Sequence, residues 1–403
     1  MINYLLALTI LLAPTYAVRF NFFGLPTNLL MLWVVLVWII FAVYLTRQKQ
    51  WGIFFGHSLR LDLRILSFTS IFFLAGIISL FWQGFNLEKL GQFIVLFLQP
   101  ISIFLIAGFE YRRNPASKTL LLNSCFLLLA LMGIYSLIQY FTLWGLPPAY
   151  WGNSVEPKRA LAFFAHPNFY SLFSAPLLAF LLADLGLKIK DLRKNWPFIA
   201  SWIIGLAGLG LSLSRAGWLG LGVAGLVYLF FAADKKIRKL SAVIFIIIFI
   251  IILAVPNLRW RFALPFYGEK SAVSRVSLWG TGWQGIKGSP IFGLGLTGFA
   301  RNWEKLNTDP NLDTHNYPHN VFLNFWAETG LLGLIGFLAI VELLIYRGLK
   351  NRNSPYELAV ALFLIALLLQ GLLDNPYFKN DLALLFWIIL SLSTYDNSNQ
   401  KTK

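Results

Sequence analysis

The sequence predicts an all-α polytopic membrane protein of about twelve transmembrane helices with one large outer loop. Three observations predict it. The chain is 58% hydrophobic and only 12% charged, where a soluble domain carries about 25% charged residues. Apolar runs of roughly 17–25 residues recur along the whole length, each long enough to cross a bilayer as a helix. Lys and Arg gather in alternate loops between those runs, the pattern that sets membrane orientation. A closed β-barrel would instead show alternating segments of ~10 residues.

The elements follow in chain order. Residues 1–18 lack a basic start and a small-residue cleavage site, so they read as a first span, 2–18, rather than a signal peptide. Further spans fall near 27–46, 65–82, 92–109, 119–141, 168–187, 196–213, 217–233 and 240–255. A long loop, 256–318, precedes the last three spans, near 320–346, 357–373 and 382–394. Within the loop, Val276, Trp279, Trp283 and Ile286 share one helical face. Gly280, Gly282 and Gly285 weaken that helix. A short interfacial helix with its tryptophans at headgroup level is expected. No tandem repeat is visible, and residues 1–403 read as a single integral membrane domain.

Charge then assigns sides. The net charge of +16 lies mostly in short loops, so it reads as topology rather than as nucleic-acid binding. With the long loop set aside, 20 Lys and Arg stand on one set of loops against 6 on the other, which places both termini in the cytoplasm. His166, His315, His319, Arg215, Arg275 and the 256–318 loop then face outward, and His57 faces the cytoplasm. Nucleotide-activated substrates lie on the opposite side, so an activated substrate is expected to arrive carried by lipid. Cys125 lies in an apolar run and, being the one cysteine, forms no internal disulfide.

The residues able to carry chemistry cluster around Tyr317–Gly330. His319 follows Pro318 at the mouth of the tenth span. A helix N-terminus disfavours imidazolium, so a neutral His319 there can act as a general base; the alternative is a surface histidine capping a helix. Asn320, Asn324 and Glu328 form an i, i+4, i+8 polar stripe. Glu328 lies about 180° around the helix from His319 and is read first as a structural partner within the span. Gly330, Gly333 and Gly336 give a small-residue edge for close helix packing. Arg215, in Ser212-Leu-Ser-Arg-Ala-Gly217, and Arg275, in Ser274-Arg-Val-Ser-Leu-Trp279, suit a diphosphate clamp or lipid headgroups. Lys158 and Arg159 can bind the same anion or anchor their loop, and His166 shapes the turn into span 6 or joins the site. Gly293-Leu-Gly-Leu-Thr-Gly298 fits a dinucleotide fingerprint but has no βαβ context, so a tight turn is expected. Asp313, His315 and His319 lack a zinc-site spacing, so no metal and no cofactor are expected.

Taken together, His319-Asn-Val-Phe-Leu323 with Glu328-Thr-Gly-Leu-Leu-Gly333, Ser214-Arg-Ala-Gly217, and Arg275 with Trp279 followed by Pro290-Ile-Phe-Gly-Leu-Gly295 and Phe299 resemble the signature of the O-antigen ligase and polymerase superfamily. The resemblance covers about residues 160–345. It implies a GT-C-type fold in the cytoplasmic membrane with the active face extracytoplasmic. The donor would be a glycan on undecaprenyl diphosphate. The acceptor would be a hydroxyl of a lipid, a growing polysaccharide or a protein. His319 would take the acceptor proton, Arg215 and Arg275 would bind the diphosphate, and attack would be inverting and metal-independent. Asn320, Lys158, Arg159, His166 and Glu328 stand as substrate-binding candidates. Within the superfamily a ligase, a polymerase and a protein O-oligosaccharyltransferase remain open. Outside it, a transporter or flippase of lipid-linked or anionic solutes would want charges at mid-membrane and half-repeats with broken helices. A non-catalytic scaffold would tolerate replacement of His319 and the arginines.

Overall fold

The computed structural model describes residues 1–22, 25–58, 61–153, 157–232, 238–239, 254, 270–307, 309 and 312–393. The expected ninth span, 240–255, apart from residue 254, and much of the first part of the long loop lie outside the described residues. Elsewhere helices dominate. They are α1 (Ile2–Leu12), α2 (Leu29–Arg47), α3 (Trp51–Ser58), α4 (Leu63–Phe81), α5 (Leu87–Phe93), α6 (Gln99–Arg113), α7 (Ala116–Thr142), α8 (Pro167–Lys188), α9 (Leu192–Leu211) and α10 (Arg215–Phe231). After the long loop's first part come α11 (Lys270–Gly288), α12 (Gly298–Arg301), α13 (Trp303–Leu306), α14 (Val321–Lys350), α15 (Pro355–Gly371) and α16 (Asn380–Leu390).

Among the described residues, six helical stretches are long and apolar enough to cross a membrane: α2, α4, Leu87–Arg113, α7, α8 and α14. Shorter apolar helices occupy Ile2–Ala17, α10, α15 and α16. The chain is therefore a polytopic all-α membrane protein. Two local departures from the expected spans have clear causes. The first apolar segment is an α-helix only to Leu12, because Pro14 lies in a 3₁₀ turn, Ala13–Ala17. A small antiparallel hairpin, β1 (Arg19–Phe22) with β2 (Leu25–Asn28), then leads to Asn28. Its side chain accepts from the Met31 amide and caps α2. The Leu87–Arg113 stretch begins earlier than expected and runs through a π turn, Ile94–Leu98.

Burial sorts the helices by position. α2 is 28% buried and α8 83%; a helix apolar all round and buried all round belongs at the centre. α15 and α16 share that position, and every residue of α16 is buried. α15 packs against α8, α10 and α14. The registers are decisive for the site. Gln370 near the C-terminal end of α15 donates to the Ser171 carbonyl of α8 at 3.0 Å. A Cβ on Gly217 of α10 would sit 3.2 Å from the Gln370 side chain, and one on Gly371 would meet Val321 of α14. The N-terminal ends of α8, α10 and α14 thus gather around the C-terminal end of α15.

α14 is not continuous. Gly330 adopts φ 69°, ψ −176°, a conformation essentially restricted to glycine. The sequence suggests a small-residue packing edge there, and the structure adds a break. The segment 290–298 fills it. The Leu294 amide donates to the Ala327 carbonyl at 2.6 Å, and the Leu331 amide donates to the Ile291 carbonyl at 3.0 Å. Gly293 (φ 69°) and Gly295 (φ 80°) make the turn that fits against the break, so the dinucleotide-like glycines are a packing device. Gly336 meets the backbone of Phe72 on α4.

Candidate functional site

The site is built where the gathered helix ends meet the loop 372–379. Asn320 caps α14, its Oδ1 accepting from the Phe322 and Leu323 amides at 3.0 and 3.1 Å. Its Nδ2 donates to the Leu372 carbonyl at 3.1 Å, tying the start of α14 to the end of α15. Asn320 is thus committed to architecture on both sides of its amide. His319 precedes it with φ 49°. The left-handed conformation costs an L-residue on the order of 1 kcal/mol, and here it turns the imidazole toward the same loop.

His319 Nδ1 lies 3.1 Å from Asp374 Oδ1. The Asp374 side chain is 3% exposed and that of His319 21%, so the pair has one buried and one open end. Burial would push the Asp374 carboxyl up. The hydrogen bond and charge of His319, together with Arg275 and the Asn375 amide, outweigh burial and hold it below the ordinary carboxylate range. Asp374 is therefore a carboxylate and can only accept. Nδ1 therefore carries a proton toward Asp374, and in the neutral ring Nε2 is the nitrogen with the lone pair. Two further contacts fix the ring. Tyr317 packs with ring centres 4.8 Å apart, its phenol driven up by burial. Trp279 Nε1 donates to the His319 carbonyl at 3.4 Å. A helix is present there as α11, and Gly282 lets it approach Pro318, where a Cβ would come within 3.1 Å.

Arg275, also on α11, donates from Nε to the Leu373 carbonyl at 2.8 Å, beside Asp374. Arg215 opens α10, whose N-terminal end lies beside the end of α15 that leads to Asp374. Arg159 donates from Nε to the Ser212 carbonyl at 2.8 Å and from Nη2 to Asn168 Oδ1 at 2.7 Å, linking the turn before α10 to the start of α8. His166 caps α8, its Nδ1 accepting from the Asn168 amide at 3.0 Å. Burial, then the charge of Arg159, lowers its pKa to about 4, so it is neutral near pH 7 with Nε2–H to donate. Asp374, Lys379 and His319 all act electrostatically on it.

Two expected site residues are placed apart from this group. Lys158 donates to the Tyr140 carbonyl at 2.7 Å and lies over the Tyr140 ring, which anchors its loop to the end of α7. Glu328 is buried, and its Oε1 accepts from the Phe299 amide at 3.1 Å at the start of α12. Among the described residues, no three His, Cys, Asp or Glu side chains are grouped so as to hold a metal ion. Asp309 accepts from Ser277 Oγ at 3.0 Å, and His315 Nδ1 meets the Asp313 carbonyl.

Residues 200–338 match the family model described as O-antigen ligase. Over this stretch, about a third of the chain, the protein resembles the O-antigen ligase and polymerase superfamily. The O-antigen ligase segment contains Arg215, Arg275, His319 and Glu328, while Arg159, His166, Asp374 and Lys379 come from flanking chain. An uncharacterized protein of Haemophilus influenzae is 26% identical over 194 residues, covering 43% of this chain and 49% of the relative. The chain thus spans about half the length of the curated relative it matches.

Sequence reasoning missed Asp374 and Lys379. Both lie in the short loop Leu373-Asp374-Asn-Pro-Tyr-Phe-Lys379 between two apolar runs. The pairing of Asp374 with His319 across two helices leaves no local pattern.

Proposed function

We propose that the protein is a membrane glycosyltransferase that moves a glycan from an undecaprenyl-diphosphate-linked donor to an acceptor hydroxyl at the outer face of the cytoplasmic membrane. The His319–Asp374 pair carries this reading. In the proposed step the acceptor hydroxyl oxygen attacks the anomeric carbon. The bond from that carbon to the phosphate oxygen breaks, and undecaprenyl diphosphate leaves with the electron pair. His319 Nε2 takes the hydroxyl proton, and Asp374 holds the resulting imidazolium. Asp374 fixes the tautomer; it does not take the proton.

Arg215 and Arg275 are assigned to the leaving diphosphate, whose charge grows as the bond breaks. The clustering of the α8, α10 and α14 N-terminal ends supports an anion at this place. Neutral His166 is assigned as a hydrogen-bond donor to the donor's phosphate or first sugar. The same residues serve a ligase, a polymerase or a protein O-oligosaccharyltransferase, so the acceptor distinguishes these. The GT-C-type fold, the metal-independent inverting course and the cytoplasmic placement of both termini belong to the same proposal.

The test is reconstitution with an α-anomeric undecaprenyl-diphosphate glycan, a set of lipid, glycan and peptide hydroxyl acceptors, and chelator. A β-linked product with release of undecaprenyl diphosphate supports the proposal. A product of retained configuration refutes the single-displacement mechanism, and transport of the donor without transfer refutes the enzyme.

A further inference from the structure

We infer that Lys379 is a further donor-binding residue, a cation that engages the lipid diphosphate beside the His319–Asp374 pair; this deepens the donor assignment above and rests on it. Lys379 lies five residues after Asp374 and occupies the N-cap position of α16, where its side chain makes no cap hydrogen bond. A cation at that position opposes the positive end of the helix. Its ammonium lies against the ring of Phe169, in the first turn of α8, and 5.9 Å from the centre of the Tyr16 ring. The N-terminal end of α8 is a second positive end.

The surrounding charges do not account for it. Asp381 and Asp374 favour the ammonium and Arg19 opposes it, while burial, the largest influence, depresses it below the ordinary lysine range. Among the described residues no carboxylate lies in ion-pair contact with Lys379. His166 and Tyr16 complete the groups that face this place. A cation held near two helix N-termini without an ion pair destabilises the chain by itself. A phosphate group between them is attracted both to the ammonium and to the two helix ends.

The adjoining side chains are also set for a polar guest. Asn375 is only 1% exposed and its Nδ2, which has no hydrogen-bond partner, can donate to a phosphate. Buried polar atoms are ordinarily satisfied. Lys379 itself is only half-buried, so a ligand reaching His319 can reach it.

The experiment measures binding of undecaprenyl diphosphate and of uncharged undecaprenol to the purified full-length protein in detergent. Wild type is compared with Lys379→Met, Lys379→Gln and Lys379→Arg. The expected result is diphosphate binding about tenfold weaker in the Met and Gln variants, retained in the Arg variant, with undecaprenol binding equal in all four. Equal undecaprenol binding shows that each variant is folded, and using two neutral variants keeps the test decisive if one fails to insert. Wild-type diphosphate affinity is further expected to fall as pH rises above neutrality, a dependence absent from Lys379→Arg. Undiminished diphosphate binding by a folded neutral variant overturns the role of Lys379 while leaving the donor assignment standing. A wild-type protein with no preference for diphosphate over undecaprenol overturns the donor assignment itself.

Discussion

His319 and Asp374 stand 55 residues apart in the chain, on either side of two helices, and meet at 3.1 Å between Nδ1 and Oδ1. The contact orients a histidine whose backbone is already held in a left-handed conformation. Replacing Asp374 by Asn keeps the size and removes the charge that fixes the tautomer. The expected outcome is a fall in kcat of about 100-fold or more, within the range general-base catalysis contributes. Steady-state transfer kinetics check this, with the donor KM changing less than threefold.

The same pair predicts an acid dependence of stability. Asp374 is held below its ordinary range in the folded protein, chiefly because His319 and Arg275 offset its burial. A depressed carboxylate pKa contributes stability above the unfolded value, about 3.9, and loses it as pH falls through the folded value. Wild type is therefore expected to melt higher than Asp374→Asn at pH 6, with the difference shrinking below about pH 4. Thermal melts of both proteins across that window measure it.

Glu328 is expected to act on stability rather than on chemistry. Its carboxyl group accepts from the Phe299 amide in a buried position. Glu328→Ala removes that acceptor and leaves the buried amide unsatisfied, a loss of about 1–3 kcal/mol. A lower melting temperature with near wild-type turnover per folded molecule is the expected result. A catalytic loss without a stability loss contradicts the structural role.

Gly330→Ala is expected to be more damaging than its size suggests. The position has φ 69° and ψ −176°, and a Cβ there would press on Ile291 and Phe292. The strain is on the order of 1–3 kcal/mol before the clash is added. Fluorescence-detected size exclusion should show loss of the monodisperse folded peak, with Gly336→Ala milder because its neighbours lie at 3.0–3.1 Å and its backbone is helical.

Lys158 and Arg275 separate anchoring from anion binding. Lys158 is engaged by Tyr140, so Lys158→Ala is expected to change the donor KM less than threefold. Arg275 stands beside Asp374, so Arg275→Ala is expected to reduce transfer by 100-fold or more. Donor titrations of the two variants provide the comparison.

How much was legible in the sequence varies by residue. His319 and Arg215 could be singled out because each is a polar group where an apolar run begins or ends, and Arg275 because it precedes a helical pattern of apolar residues within the long loop. The tight turn at Gly293–Gly298 was legible because no βαβ unit surrounds it. Asp374 was not, because an acid just past a span has the same local pattern whether it pairs with a distant histidine or faces water. The break at Gly330 was hidden for a similar reason, since the apolar pattern runs straight through it. What fills the break is a segment about 35 residues earlier, and no periodicity reports such a contact. That filling also bears on the transporter alternative. The broken helix faces protein backbone at Ile291 and Leu294, whereas a transporter's unwound segment lines a cavity.

The most direct test of the central claim is a single-turnover measurement on reconstituted protein. Release of undecaprenyl diphosphate from a lipid-linked glycan is followed with the reactive acceptor, comparing wild type, His319→Ala and Asp374→Asn. The account predicts a burst of glycosidic product in wild type, its near-complete loss in His319→Ala, and a slow residual rate in Asp374→Asn. Equal product from wild type and His319→Ala would contradict the assignment of His319 as the base.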